Sequence, residues 1–194
     1  MHSNESIALL GTSADPPTYG HKELLKGLLT LFPKVATWAS DNPFKEHGTS
    51  LQTRQHLLKL IVNEIGNSNL QLTQSLSSPR TLTTMERAYD LWPKSNLVFV
   101  VGSDLTRQIP CWFKAEEVLK KTHLGIVPRE GWPINQNHLQ EIIDLGGTVE
   151  VLPLTISRTA SSNVRSGSKK AQVPLEIRRM LIKENLYGLS EDSQ

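Results

Sequence analysis

The sequence predicts a doubly wound α/β fold, a parallel sheet covered by helices on both faces. Three observations carry this. Short apolar runs alternate with longer stretches of helical periodicity, and parallel neighbours need such crossovers. The runs IALL and NLVFVV are apolar at successive positions, as strands buried on both faces must be. A turn rich in Gly and Pro, GTSADPPTYGH at residues 11–21, leaves the first run and leads into a helix.

The elements follow in order. Residues 7–10 form the first strand, and Leu24, Leu25, Leu28, Leu29 and Phe32 fall on one face of a helix that Pro33 ends. VATWAS (35–40) is the second strand, and QTRQHLLKLIVNEIG is an amphipathic helix stopped by Gly66. Alternation in NLQLTQ (69–74) gives a third strand. TLTTMERAYDLW is helical up to Pro93, and NLVFVV (96–101) is the fourth strand, followed by a helix around AEEVLKK. HLGIVP, a helix through HLQEIIDLGG, and TVEVLP complete the sheet, and PLEIRRMLIKENLYG closes the chain as a helix. Residues 1–189 read as one domain and 190–194 as a frayed tail.

Composition narrows the function. A chain of 194 residues with 38% hydrophobic content suits one ordinary domain with a sizeable core. Its 21 basic and 19 acidic residues leave a net charge of +2, which gives no broad cationic face for nucleic acid, so any anion is bound locally. The single cysteine, Cys111, excludes an internal disulfide and any multi-cysteine zinc site and points to a reducing compartment. No window approaches the roughly 18 uninterrupted apolar residues of a spanning helix, and the N-terminus lacks a signal-peptide pattern. These features predict a cytoplasmic protein without membrane or nucleic-acid partners and leave homo-oligomerisation open.

Open α/β sheets bind ligands beyond the carboxyl ends of their strands, and the 11–21 turn sits at such an end. Gly11 lets a ligand approach the backbone, and Gly20-His21 opens a helix whose free N–H groups and positive dipole end favour phosphate. His21 would donate to that phosphate, and Thr18 adds a hydroxyl one turn earlier. A capped helix with a surface His fits the same spacing. In SRTASSNVR, hydroxyls beside a helix start and the planar fork of Arg165 suit phosphate oxygens, as would a Ser-rich linker with a cap. Gly102, Ser103 and Asp104 end the most apolar strand, where a carboxylate meets ribose hydroxyls or caps the next helix. Trp112, in a loop after Pro110, either packs or offers a ring face. Lys45 in NPFKEH reads by itself as a solvated charge, and Arg54 as a structural or surface residue. The other histidines lack metal-ligand spacing, and Cys111 lacks a base partner.

These segments together resemble one family. GTSADPPTYGH is similar to the GxFDPxHxGH form of the (H/T)xGH signature of nucleotidylyltransferases. WASDNPFK resembles the segment that supplies a lysine after the second strand. VGSDLTRQIPCWF resembles the G-x-D and P-x-W-(Y/F) stretch, and SSNVR the late SSTxIR motif. The matches cover most of the chain in order, and the nicotinate-nucleotide adenylyltransferases of cyanobacterial type are the branch most resembled. The resemblance implies a Rossmann-like sheet of nucleotidylyltransferase type and the joining of ATP to nicotinate mononucleotide, with release of pyrophosphate. It implies catalytic roles for His21, Thr18, Lys45 and Arg165. It places ATP against Gly11, Thr12, Ser13, Gly20, Gly102, Asp104, Ser161 and Ser162, with Ser161, Ser162 and Arg165 on the β and γ phosphates. The pyridine nucleotide falls to Trp112 and Thr81, its carboxylate held largely by nearby backbone N–H groups. Departures occur at Phe44, where many relatives have His and for which His47 is the candidate substitute, and at Ala160, where many have Ser.

With no activated Ser, Cys or Lys in view, the chemistry implied is direct in-line attack of an anionic 5′-phosphate oxygen on the α-phosphorus of ATP. The protein aligns and neutralises rather than attacks. Mg²⁺ is expected to arrive on the triphosphate, without a dedicated protein cage. Transfer to nicotinamide mononucleotide, transfer to pantetheine phosphate, and a non-catalytic nucleotide-binding module are the alternatives. Thr12, Phe44 and Ala160 motivate the last.

Overall fold

In the computed structural model the described residues are 6–42, 45–156, 161–165 and 173–189. Pro43, Phe44 and Ala160, the 157–160 and 166–172 stretches, and the 190–194 tail lie outside them, as do the side chains of Ser162 and Asn163. A six-stranded, all-parallel sheet has the order β3-β2-β1-β4-β5-β6. Its strands are β1 (Ser6–Thr12), β2 (Lys34–Ala39), β3 (Leu70–Leu72), β4 (Asn96–Gly102), β5 (His123–Val127) and β6 (Thr148–Val151). The helices are α1 (Tyr19–Leu31), α2 (Leu51–Ile65), α3 (Thr81–Leu91), α4 (Ala115–Leu119), α5 (Gln136–Asp144), α6 (Ser161–Arg165) and α7 (Leu175–Lys183).

The period-two alternation of buried strands divides the core. Ala8 and Leu10 of β1 pack with Val98 and Val100 of β4 against Leu25, Leu28, Leu57, Leu58, Ile61, Ile177 and Leu181. Ile7 and Leu9 turn the other way and join Phe99, Val101, Leu124 and Ile126 against Met85, Ala88, Leu139 and Ile142. α1, α2 and α7 thus cover one face and α3 and α5 the other, so strands buried on both sides lose their polar residues. The strand order reverses direction between β1 and β4, and a crevice opens beyond their carboxyl ends.

The expected strand at 69–74 is shorter than its alternation suggested. It stops at Leu72 because Gln74 turns its side-chain amide onto the backbone of Ala39, accepting from the N–H at 3.0 Å and donating to the carbonyl at 2.9 Å. A short 3-10 turn, Gln74–Leu76, follows. Ser103–Cys111 is a 3-10 helix rather than a loop, with Pro110 inside it. Such turns carry no 3.6-residue apolar period to read. The final helix ends at Lys183. Asn185 and Tyr187 then adopt left-handed backbone angles, with φ of 50° and 57°, and a 3-10 turn spans Leu186–Gly188.

Candidate functional site

The crevice at the switch point has a volume of about 450 Å³. Gly11, Thr12 and Ser13 from the end of β1, Gly20 and His21 from α1, and Gly102 and Asp104 from the end of β4 all line it. Lys45, Ser161 and Arg165 complete the set, so residues from both ends of the chain meet in one cavity. A second pocket of about 410 Å³ adjoins it and shares Gly11, Ser40, Asn42, Val101 and Leu105. Trp112 and Thr81 line this second pocket with Trp38, Phe99, Phe113 and Arg80.

His21 is fixed by its place in the helix. It stands at the third position of α1 and completes a capping box with Thr18, in the role a Glu or Gln usually fills. The Thr18 backbone N–H donates to His21 Nδ1 at 3.1 Å, and the Thr18 hydroxyl lies 3.0 Å from the same nitrogen. An N–H donor requires an unprotonated Nδ1, so the neutral ring carries its proton on Nε2. Desolvation, reinforced by Arg129 and Lys45, lowers the His21 pKa from 6.5 to about 4. The ring is therefore neutral at ordinary pH, with an N–H to offer. Thr18, by contrast, is buried and stands behind the imidazole instead of lining the crevice. The expected phosphate contact of its hydroxyl gives way to positioning of His21.

Two cations were legible in sequence and a third was not. Lys45 lines the crevice, and its pKa is lowered by desolvation and by Arg129 and Arg165, against the opposing effect of Asp104. Arg129, from the turn after β5, donates to Asp104 Oδ2 at 2.6 Å, while its backbone N–H donates to Ser103 Oγ at 2.9 Å. Asp104 thus lies against a guanidinium. Gly102 is needed beneath it: a Cβ there would stand 2.3 Å from Asp104 Oδ1. Gly11 is equally constrained, since a Cβ would meet the Trp38 ring at 2.8 Å, and β1 pairs with β2 at this level.

Asp15 organises the turn. Its buried carboxylate accepts from the Gly48 N–H at 2.7 Å, the Thr49 hydroxyl at 3.3 Å and the Tyr187 hydroxyl at 2.5 Å. Arg165 donates to the Asp15 carbonyl at 2.5 Å, and its guanidinium lies 3.7 Å from the carboxylate. Burial and the Asp15 carboxylate raise the Tyr187 pKa far above its ordinary value, so the phenol keeps its proton. His47 lines the crevice with Nδ1 3.7 Å from Asp15 Oδ2, its pKa lowered mainly by desolvation. Arg54, ranked as structural or surface by sequence, is buried and structural: it donates to the carbonyls of Ser13 at 2.8 Å and Ser40 at 2.7 Å, tying the exits of β1 and β2 together. Trp112 packs edge-on against Phe99, centroids 6.0 Å apart, while lining the second pocket, so packing and exposure of a ring face coexist. Cys111 is exposed and free.

Fold and crevice together define an α/β protein with a Rossmann-like switch-point site rich in cationic and hydrogen-bond-donating side chains. The chain belongs to the cytidylyltransferase-like family, whose model matches residues 9–182, and within it to the nicotinate-nucleotide adenylyltransferases. A protein of Synechocystis sp. named "Probable nicotinate-nucleotide adenylyltransferase" is 41% identical over 156 residues, 75% of this chain and 78% of that protein. A protein of the same name from Rhodopirellula baltica is 31% identical over 139 residues, 68% of this chain and 64% of its own length. In fold, the chain is similar to the Plasmodium falciparum nicotinic acid mononucleotide adenylyltransferase complexed with APC. That match has a TM-score of 0.77 and 22% identity, covering 95% of this chain and 98% of the other. The same parasite enzyme complexed with NaAD gives 0.76 at 21% identity over the same shares. Among the described residues no helix is long and apolar enough to cross a membrane.

Proposed function

We propose that the chain transfers the adenylyl group of ATP to nicotinate mononucleotide, giving deamido-NAD and pyrophosphate in NAD biosynthesis. The observation that carries this reading is the pair of joined pockets. One is rich in phosphate donors and the other in aromatic rings, and they meet at Gly11, Ser40 and Asn42. Two nucleotides bound there would bring their phosphates together at the shared wall.

A 5′-phosphate oxygen of the mononucleotide attacks the α-phosphorus of ATP, forming one P–O bond as the bond to the β-phosphate bridging oxygen breaks. The nucleophile is already anionic, so no protein base is required. His21 Nε2–H donates to the α-phosphate, Lys45 and Arg129 offset charge along the triphosphate, and Arg165 with Ser161 receives the departing pyrophosphate. Ser162 joins them by resemblance. Asp104 accepts from ribose hydroxyls while Arg129 holds it, and Trp112 and Thr81 take the pyridine end.

Mg²⁺ is carried by the triphosphate. Asp104, the carboxylate beside the cations, is engaged by Arg129, and no described group of three His, Cys, Asp or Glu forms a metal cage. Bound on the triphosphate, the ion would shield phosphate charge, while the residues above position the nucleotides. The place of action is the cytoplasm.

Pyrophosphate release with ATP and each acceptor in turn tests the reading. Release with nicotinate mononucleotide above the other acceptors supports it. Preference for pantetheine phosphate, or product with none, overturns it, the latter in favour of a binding module.

A further inference from the structure

We propose that Arg80 selects the acid form of the pyridine nucleotide, its guanidinium pairing with the ring carboxylate in the second pocket. The inference rests on the reading above and deepens it with a side chain that motif comparison did not single out. Arg80 is the residue immediately before α3, an 11-residue helix, and its side chain makes no cap bond. The guanidinium instead lies over the Phe113 ring, 4.4 Å from the centroid, on the lining of the second pocket. Among the described residues no carboxylate pairs with it. Lys114, the other cation near Phe113, is neutralised by Glu117 at 2.9 Å. Asp41, the acidic side chain on this pocket, bears electrostatically on His47 and Arg54.

Position separates a ring contact from a phosphate contact. The reacting 5′-phosphate belongs at the shared wall of Gly11, Ser40 and Asn42, where the two pockets meet. Arg80 lies outside that wall, with Trp112 and Phe113, where the pyridine ring goes. A guanidinium held over the Phe113 ring keeps N–H donors to offer to a ligand in the pocket. A carboxylate takes two such donors as an acceptor, whereas the NH₂ of an amide faces a cation that can only donate.

The experiment compares wild type, Arg80→Gln and Arg80→Lys by pyrophosphate release at saturating ATP, with nicotinate and nicotinamide mononucleotides as acceptors. Arg80→Gln should lose roughly tenfold or more in kcat/KM for the acid, the scale of a charge-assisted bond, and change less than about threefold for the amide. Arg80→Lys should retain part of the preference. Equal losses for both acceptors would assign Arg80 to the phosphate, and no loss with either would leave it a surface residue; either overturns the proposal. Titration of tryptophan fluorescence with each mononucleotide, without ATP, reads the same ratio independently of turnover. A wild type that releases no pyrophosphate would therefore sink the catalytic reading while the binding ratio still decides Arg80.

Discussion

Thr18 and His21 hold each other across the first turn of α1, the Thr18 backbone N–H donating to His21 Nδ1 at 3.1 Å. The donor is main chain, so the orientation of the ring survives most changes to the Thr18 side chain. His21→Ala should lower kcat by roughly 10² or more, the scale of losing a preorganised electrostatic donor, with the fold intact by circular dichroism. Thr18→Val keeps the N–H and removes only the hydroxyl, and should cost less than about tenfold. A larger loss in Thr18→Val than in His21→Ala would return Thr18 to direct phosphate contact.

The charge state of His21 has a signature in pH. Its folded pKa of about 4 lies below the ordinary 6.5. Between these values the unfolded chain binds a proton that the folded chain refuses. The stability tied to His21 is therefore fully present above pH 6.5 and is lost as the pH falls toward 4. His47 is shifted in the same direction and adds to the trend. In the free protein, NMR titration of the His21 ring should give a midpoint well below 6.5. Thermal melts should fall from pH 6.5 to 4 less steeply in His21→Ala than in wild type. A midpoint at or above 6.5 would mean that desolvation does not dominate this site.

The Asp15 carboxylate connects the turn after β1 to the C-terminal 3-10 turn through Tyr187. Asp15 is 1% exposed, so truncation strands several donors in a buried place. Asp15→Ala should destabilise the protein by about 3 kcal/mol, within the range for breaking buried charged interactions. Tyr187→Phe removes one donor to the carboxylate and should cost about 1.5 kcal/mol. Because Arg165 donates to the carbonyl of the same Asp15, Tyr187→Phe should also raise KM for ATP more than it changes KM for the mononucleotide. Urea unfolding and steady-state kinetics on the same preparations check both parts.

Which of these features the sequence discloses depends on whether their cause is local. The succession of elements and the buried faces follow from apolar runs, so β1, β2, β4 and β5 are legible within a residue or two, whereas their order in the sheet is not. Gly11, His21, Lys45, Gly102, Asp104, Ser161 and Arg165 sit in linear motifs and do share one crevice. Arg129 escapes because its meaning is spatial: it lies in a turn 25 residues beyond Asp104 and matters only through their pairing. Tyr187 meets Asp15 from 172 positions away. Arg54 looks like one more polar residue on an amphipathic helix, and only the converging exits of β1 and β2 explain its burial. Thr18 was visible as a hydroxyl near a helix start, but the same residue type serves a cap as well as a phosphate. Arg80 is hidden by its neighbours in sequence, since the ring that receives it, Phe113, belongs to the far side of β4.

The two pockets make opposite demands on Trp112 and Gly102, which allows them to be told apart by binding. Trp112 lines the second pocket and not the first, so on the proposed reading Trp112→Ala should weaken nicotinate mononucleotide binding by roughly tenfold, within the range of a lost aromatic contact, and leave ATP binding nearly unchanged. Part of the loss will appear as stability, because the ring also packs edge-on against Phe99. Gly102→Ala acts at the other end. Its Cβ would stand 2.3 Å from Asp104 Oδ1 and must push that carboxylate away from Arg129. ATP affinity should therefore fall while mononucleotide affinity holds. Isothermal titration of each variant with each ligand gives a two-by-two comparison. Parallel losses in both ligands for both variants would show that the pockets do not divide the two nucleotides between them.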